Sequence, residues 1–350
     1  MWLLKRLGLP MTIAVLSAIV FAMHFGIIGY SFCPSPTIMK GNSFGQGLIN
    51  FQNDGLEKPN SALSQSSILN SFMTEYSLSF QRKSNCNLRT PKDCFRTNKS
   101  LVVTFWRQES KERWFASNML LVFPESYFEH IVMVHDNSSW NSHPAFDKII
   151  WIHVAGQLRF WYIKRFLSPH IFRAYRYIWF VDDDVEFNFD TRVYECVTDK
   201  FDILLSAPAR GQGTTIHDIT RKFSTSSSRI GRWTDFVEIG PMFIANNLAA
   251  ICIWNFLSEK VGLGYGIDMT WCRFLSSRCF KQIPVSKTCA ILDAFLVHHN
   301  SKSIGTLRVG LAEIPAYRNY YQKYSSKKVV FGAVGSDSSD LASCQGRQFN

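Results

Sequence analysis

The sequence of 350 residues has few charged side chains and no long run of lysine or arginine. Charged residues make up 19% of the chain and hydrophobic residues 46%, so a packed core is expected and wholesale disorder is excluded. The formal net charge of +11 could suit an anionic partner, but the basic residues are scattered. Zinc-finger spacing and an aromatic RNA-binding signature are both missing, so we expect no nucleic-acid partner and one main domain with accessory segments.

The nine cysteines include no Cys-x-x-Cys pair, which argues against a cysteine metal site. In an oxidising compartment they would form disulfides instead. Cys86 and Cys94 flank a short loop and could pair, as could Cys272 and Cys279. Sequence does not fix the connectivity, and the odd count leaves at least one free thiol or an intermolecular bond.

One apolar segment lies close to the N-terminus, at residues 7–30, and it is long enough to cross a bilayer as a helix, which takes about 20 residues. Lys5 and Arg6 precede it, which predicts a type II signal anchor with residues 1–6 in the cytosol and everything after Tyr30 on the lumenal side. A cleaved signal peptide is the alternative, but the run is long for one and no small-x-small cleavage site follows it.

The composition of the remaining residues predicts a stem, a folded domain and a tail. Residues 31–95 are rich in Ser, Asn, Gln and Gly and predict a flexible lumenal stem. Residues 96–322 are expected to form the folded domain, and the charged, Ser-rich residues 323–350 a tail without packed structure. Asn98 and Asn137 each begin an Asn-x-Ser triplet, which predicts N-glycosylation, although such triplets also arise by chance.

Segments of strand and helix character alternate within residues 96–322, which predicts an α/β/α sandwich with a mostly parallel central sheet. The runs LVVTF, HIVMVHD, KIIWIHVAG and FDILLSAP are typical of strands buried on both faces. Helices are predicted around residues 114–121, within 156–172 and within 246–262. For the last of these, Asn246 or Asn247 would be the cap and Gly262 the stop.

The segment YRYIWFVDDDVEF, residues 175–187, places three adjacent aspartates directly after an apolar strand. Adjacent carboxylates repel one another, so they destabilise a strand end unless a cation or hydrogen bonds compensate. Ligands of open α/β sheets bind beyond the carboxyl ends of the strands, which is where these aspartates are expected. Side chains alternate between the two faces of a strand, so Asp182 and Asp184 should lie on one side and Asp183 on the other. Asp182 and Asp184 could therefore bind one Mg²⁺ or Mn²⁺, with a solvated acidic turn as the alternative.

An Asp-x-Asp motif at a strand end, on a type II anchored α/β domain, resembles the GT-A glycosyltransferases. Residues 157–185 more closely resemble a plant-type domain-of-unknown-function family labelled lysine-ketoglutarate-reductase trans-splicing related, and the similarity continues through HDIT, TDFVEIGPMF, GLGYGIDM and VHHNSKSIG to about residue 305. Asp183 stands where the family often has Glu, and Tyr265 where it usually has Trp. The resemblance implies a GT-A-like, Rossmann-like fold in the lumenal domain of an enzyme anchored in the Golgi membrane. It also implies Mn²⁺ or Mg²⁺, a nucleotide-sugar donor and a glycan acceptor.

The resemblance also suggests roles for single residues. Asp268, in GLGYGIDM, matches the acid of inverting galactosyltransferases and is the candidate general base, with a helix N-cap as the alternative. His298 matches the family's Val-His position better than His299 does and is the candidate third metal ligand; a structural histidine is the alternative. Glu238 could bind acceptor hydroxyls or pair with Arg232.

Asp136 closes a predicted strand and is expected, with Asp182 and Asp183, to contact the nucleotide; a turn aspartate is the alternative. The sequence thus predicts a glycosyltransferase-like enzyme. A noncatalytic lumenal carbohydrate-binding or scaffold protein on the same fold is the alternative, and it would show no metal-dependent nucleotide binding. A metal-dependent phosphoesterase would need a second metal cluster, for which the sequence offers no His-Asp pairs.

Overall fold

The computed structural model describes residues 49–51, 98–213, 217–223, 229–258, 262–300, 313–335 and 338–347. All of these residues belong to the compact unit Gln46–Asn350. Within them, no helix has the length and apolar character needed to cross a membrane. The predicted anchor at residues 7–30 and the cysteines at 33, 86 and 94 lie outside the described residues, as does most of the predicted stem.

One mixed sheet of eleven strands forms the centre of the described domain. Its strands are β1 Ile49–Phe51, β2 Ser100–Trp106, β3 Phe128–Val134, β4 Ile150–Val154, β5 Tyr177–Asp182, β6 Val185–Phe187, β7 Leu205–Gly213, β8 Gly231–Thr234, β9 Met242–Asn246, β10 Cys289–His299 and β11 Val330–Val334. Their order is β1-β4-β3-β2-β5-β9-β7-β10-β8-β11, and β6 pairs with β10. Because only β6, β8 and β9 run opposite to the others, the prediction of a mostly parallel sheet is confirmed.

Helices cover both faces of this sheet. They are α1 Trp114–Val122, α2 Arg159–Phe166, α3 Pro169–Arg173, α4 Thr191–Lys200, α5 Asn247–Phe256, α6 Trp271–Phe274, α7 Arg318–Tyr324 and α8 Ser338–Gln345. Short 3₁₀ segments span Gln108–Glu112, Phe146–Lys148, Asp218–Thr220, Val285–Lys287 and Ile314–Tyr317, and a π segment spans Leu275–Cys279. Along β2, Leu101 and Val103 pack into one apolar core and Val102 into the other, as strand alternation requires. The predicted α/β/α layering is therefore present.

Two predicted helices differ from the observed ones in their bounds. The segment 156–172 forms two helices, because Pro169 has no N–H to continue α2 and instead begins α3. Ser168 caps α3 through its side chain, which accepts a hydrogen bond from the Ile171 amide at 3.4 Å. In α5 the predicted cap is Asn246, whose side chain accepts from the Ala249 amide at 2.8 Å, but the helix ends at Phe256, well before Gly262.

The segment after Lys323 contains packed structure where we expected a tail. β11 pairs antiparallel with β8. α8 is joined to α4 by the disulfide Cys196–Cys344. Composition over the whole segment obscured the short apolar run VVFGAV, which is long enough for an edge strand.

Cys272 and Cys279, which the sequence offered as a possible pair, are not bonded to each other. The observed disulfides are Cys196–Cys344, Cys252–Cys279 and Cys272–Cys289. Because the π segment continues α6, Cys272 and Cys279 are held about two helical turns, or about 10 Å, apart, which exceeds the reach of a disulfide. Each therefore pairs with a cysteine of another element.

Candidate active site

The three aspartates lie where β5 ends at the edge of the sheet. Asp182 is the last residue of β5, and Asp183 and Asp184 form the turn to β6. β6 pairs with the end of β10, where Val185 lies opposite His299. One ligand atom from each of Asp182, Asp184 and His299 lies within 4.8 Å of the other two. The predicted convergence of Asp182 and Asp184 is thus found, together with an imidazole.

The histidine of this cluster is His299, so the prediction of His298 is wrong by one residue. His298 pairs with Glu186 in the sheet, and a Cβ added at Gly211 would lie 2.9 Å from its Nδ1, which places the ring on the β7 side. Neighbouring residues of a strand face opposite ways, so only one of the two histidines can reach the aspartates. The pairing of β10 with β7 has two register shifts, and no sequence pattern reveals which face each histidine takes.

Two arginines and a serine offset the repulsion within the aspartate triplet. Arg159 of α2 forms an ion pair with Asp182. Arg113 lies 3.4 Å from Asp184 and 3.7 Å from Asp183, measured from Nη1 and Nε to the nearest carboxylate oxygens. The Ser110 hydroxyl donates a hydrogen bond to Asp183, the aspartate of the triplet that is not part of the cluster. Sequence reasoning missed these three partners because they precede the triplet by more than twenty positions and carry no motif.

The cluster has the donor atoms for a divalent cation. His299 Nδ1 is buried and has no hydrogen-bond partner among the described residues, while His299 Nε2 lies 3.2 Å from Asp184 Oδ1. Buried polar atoms are normally satisfied, so an unpartnered imidazole nitrogen beside two carboxylates fits a ligand set. Burial would raise the pKa of Asp184, but His299 and Arg113 hold it below its usual range, whereas burial raises the pKa of Asp182 to about 6.

A second pair of carboxylates, Asp268 and Glu238, is buried, and it interacts electrostatically with the same arginine, Arg210, as Asp182 and Asp184 do. Burial, reinforced by the negative charge of Glu238, raises the pKa of Asp268 to about 7. The N-cap of α6 is Thr270, so the capping role considered for Asp268 is excluded. Glu238 lies 3.4 Å from Arg210 Nη1, and the pairing with Arg232 considered from sequence is wrong.

Arg210 connects the two groups of carboxylates. Its guanidinium donates to the carbonyl of Gly240, and the next carbonyl, that of Pro241, accepts from the Asp182 amide at 2.8 Å. Burial lowers the pKa of Arg210, although the surrounding carboxylates act to raise it. Those carboxylates belong to Glu238, Asp182, Asp184 and Asp268. One buried cation thus interacts with both the candidate metal ligands and the candidate base.

Asp136 forms hydrogen bonds within its own turn. Its carboxylate accepts from the Gln108 amide at 2.6 Å and from the Ser138 amide and hydroxyl at 3.0 and 2.5 Å. Burial would raise the pKa of Asp136, but these hydrogen bonds hold it below its usual range. The turn role is therefore present, and the nucleotide contact stays a prediction. The glycosylation candidates Asn98 and Asn137 are both exposed.

A family model described as "Protein of unknown function (DUF707)" matches residues 82–328. The chain belongs to this family. Comparison of the DUF707 chain with curated proteins finds no match. Residues 82–328 include every candidate site residue named above, so the site is part of the shared family domain.

Solved structures resemble the DUF707 chain only loosely. S. aureus TarS 1-349 in complex with UDP-GlcNAc is 11% identical at a TM-score of 0.37, over 59% of this chain and 60% of that one. A mycobacterial protein is 13% identical at 0.37, over 63% and 73%. A putative glucose-1-phosphate thymidylyltransferase from Bacillus anthracis, in complex with a sucrose, is 8% identical at 0.34, over 61% and 94%. Likeness at this level transfers no activity, so function is argued from the site.

Proposed function

We propose that this domain is a metal-dependent glycosyltransferase that moves a sugar from a nucleotide-sugar to a hydroxyl group of a glycan acceptor. One observation carries the proposal: Asp182, Asp184 and His299 form a cation-binding set at the carboxyl edge of the sheet. Beside it, a buried carboxylate with a pKa of about 7, Asp268, suits a general base. The resemblance to GT-A glycosyltransferases supports the same reading.

In this mechanism, Asp268 accepts the proton of the acceptor hydroxyl while the acceptor oxygen bonds to the anomeric carbon of the donor. The bond from that carbon to the phosphate oxygen breaks, and the nucleoside diphosphate leaves with the electron pair. A Mn²⁺ or Mg²⁺ ion held by Asp182, Asp184 and His299 would offset the charge of the leaving group. Arg210 holds Glu238 and the Gly240 carbonyl in place between the two centres.

Metal-dependent donor binding tests the proposal directly. We expect calorimetry on the full-length chain to detect at least one nucleotide-sugar with Mn²⁺ present and none with a chelator. Asp184→Asn removes a charged ligand atom and should weaken that binding by more than about 100-fold. Asp147→Asn, at an exposed position outside the site, is the matched control and should bind as the wild type does.

Two outcomes would contradict this function. Failure of every nucleotide-sugar to bind in the presence of metal favours the noncatalytic carbohydrate-binding alternative. Equal donor affinity in Asp184→Asn and the wild type would show that donor binding does not depend on the cluster.

We also propose that the protein is a type II Golgi membrane protein with this domain in the lumen. Three disulfides join described cysteines, which fits an oxidising compartment. We expect glycosidase treatment of protein from a eukaryotic host to lower its apparent mass, because Asn98 and Asn137 are exposed acceptors. The double variant Asn98→Gln/Asn137→Gln should show no such shift, and a wild type without the shift would argue against lumenal placement.

A further inference from the structure

A buried carboxylate, that of Glu313, binds the backbone of the glycine loop GLGYG, residues 262–266. It accepts hydrogen bonds from the amides of Gly262, Leu263 and Gly264 at 2.8, 2.9 and 2.9 Å. The Tyr265 amide lies farther away, at 3.4 Å. Hydrogen bonds to a charged acceptor are stronger than neutral ones, so this single side chain constrains the whole loop.

The loop can present several amides to one carboxylate because of its backbone conformation. Gly264 and Gly266 have φ angles of 78° and 88°, in the left-handed region that residues with a Cβ rarely adopt. Successive amides in such a turn point to one side and form a concave anion-binding nest. Glu313 fills this nest from within the chain, so the loop has an internal anionic partner.

The opposite side of the loop packs against the start of α2. The Phe160 amide donates to the Gly262 carbonyl at 2.7 Å, and a Cβ at Gly264 would lie 2.3 Å from the Phe160 ring. The residue before Phe160 is Arg159, the ion-pair partner of Asp182. The loop therefore contacts the element that supports the candidate metal ligands.

The loop leads directly into Asp268. The Ile267 amide donates to the Gly264 carbonyl at 3.0 Å, so the turn that Glu313 holds closes one residue before the candidate base. Asp268 is buried, and the amides of Met269 and Ile239 donate to it. A shift of the loop would change where this carboxylate lies relative to the cluster.

We propose that Glu313 is a positioning residue for the sugar transfer: it holds the glycine loop and thereby fixes the orientation of Asp268. The inference rests on the proposed function. Glu313 acts through the loop and does not contact the reacting atoms, because its oxygens are occupied by backbone donors. The role differs from those of the metal ligands and the base.

Three measurements on the full-length chain test this role: kcat and KM for transfer, donor affinity with Mn²⁺, and amide hydrogen exchange over residues 262–268. We expect Glu313→Ala to lower kcat by about 10- to 100-fold, because small misplacements of a reacting group have effects of that size. Donor affinity should stay within about twofold of the wild type, since the ligand set is intact. Exchange of the loop amides should become about tenfold faster.

Glu313→Gln keeps one acceptor oxygen and should restore part of the lost kcat, whereas Glu125→Gln, in an exposed surface ion pair, should change none of the three measurements. Unchanged exchange or unchanged kcat in Glu313→Ala overturns the inference. Loss of donor binding together with kcat in both Glu313 variants indicates general destabilisation and overturns it too. A wild type that binds no nucleotide-sugar with Mn²⁺ overturns the proposed function itself, and the positioning role with it.

Discussion

Replacing Asp268 with Asn is expected to lower the rate of sugar transfer by about 10²- to 10⁴-fold while leaving donor affinity unchanged. An amide has nearly the shape of the carboxylate but cannot take a proton from the acceptor hydroxyl. The measurement is kcat at saturating donor and acceptor, with the dissociation constant of the donor determined alongside. Glu195→Gln is the matched control, because burial also raises the pKa of Glu195 to about 7. Glu195 lies on the other face of the sheet, where its carboxylate accepts a hydrogen bond from the Trp179 indole.

The wild-type rate should fall below about pH 7, because the base role requires the charged form of Asp268 and its pKa is about 7. A rate that is flat between about pH 5 and pH 8 would argue against Asp268 as the base. Equal rates in Asp268→Asn and Glu195→Gln would also contradict the assignment.

The stability of Asp268→Asn shows whether a lower rate comes from loss of the general base or from unfolding of the domain. Burial raises the folded pKa of Asp268 from 3.8 to about 7, so the folded state binds the proton more tightly than the unfolded state does. The charged form therefore destabilises the fold as pH rises from about 4 to about 7, by as much as about 4 kcal/mol above that range. Asp268→Asn should be more stable than the wild type at about pH 8, and the gap should close at about pH 4.

Local pattern predicted the β5 strand and the convergence of Asp182 and Asp184, because both depend only on neighbours in the chain. The choice between His298 and His299 depends on irregular pairing along β10, which a two-residue period does not capture. Arg113, Arg159 and Arg210 could not be assigned, because an arginine carries no signal of its partner until the fold brings them together.

The disulfide error has the same physical origin. Cys272 and Cys279 are close in sequence, and only the helical path between them shows that they lie too far apart to bond. Glu313 likewise lies far from the glycine loop in sequence, and its role depends on two left-handed glycines that position the amides. The motif GLGYG alone did not reveal that its amides bind a side chain of the same domain.

The buried ion pair between Arg232 and Asp293 is the second place where a single change should have a large effect. The two side chains are 4% and 10% exposed and lie 2.7 Å apart, from Arg232 Nη1 to Asp293 Oδ1. Arg232 also donates to the carbonyls of Ile219 and Arg221, both at 2.6 Å. The pair thus holds the segment 217–223 against β8 and β10, and Thr220 of that segment lies next to Glu238 of the candidate site.

Asp293→Ala should lower the free energy of unfolding by about 3–5 kcal/mol, because it leaves the Arg232 guanidinium buried without its counter-ion. Glu125→Ala is the matched control: Lys148 and Glu125 are also 2.7 Å apart, but they are 52% and 44% exposed, so its loss should be under about 1 kcal/mol. Both are measured by denaturant unfolding. Equal losses of unfolding free energy in the two variants would show that the burial of an ion pair does not determine the cost of breaking it.

Burial lowers the pKa of Arg232 and raises that of Asp293, each against the attraction of its partner, so loss of hydration outweighs the charge attraction for both groups. The pair as a whole should therefore contribute little, although breaking it is costly. We expect the double variant Arg232→Met/Asp293→Leu to recover most of the stability that Asp293→Ala loses. A double variant as unstable as the single one would instead mean that the hydrogen bonds of Arg232 to the 217–223 segment, and not the buried charge, stabilise this part of the fold.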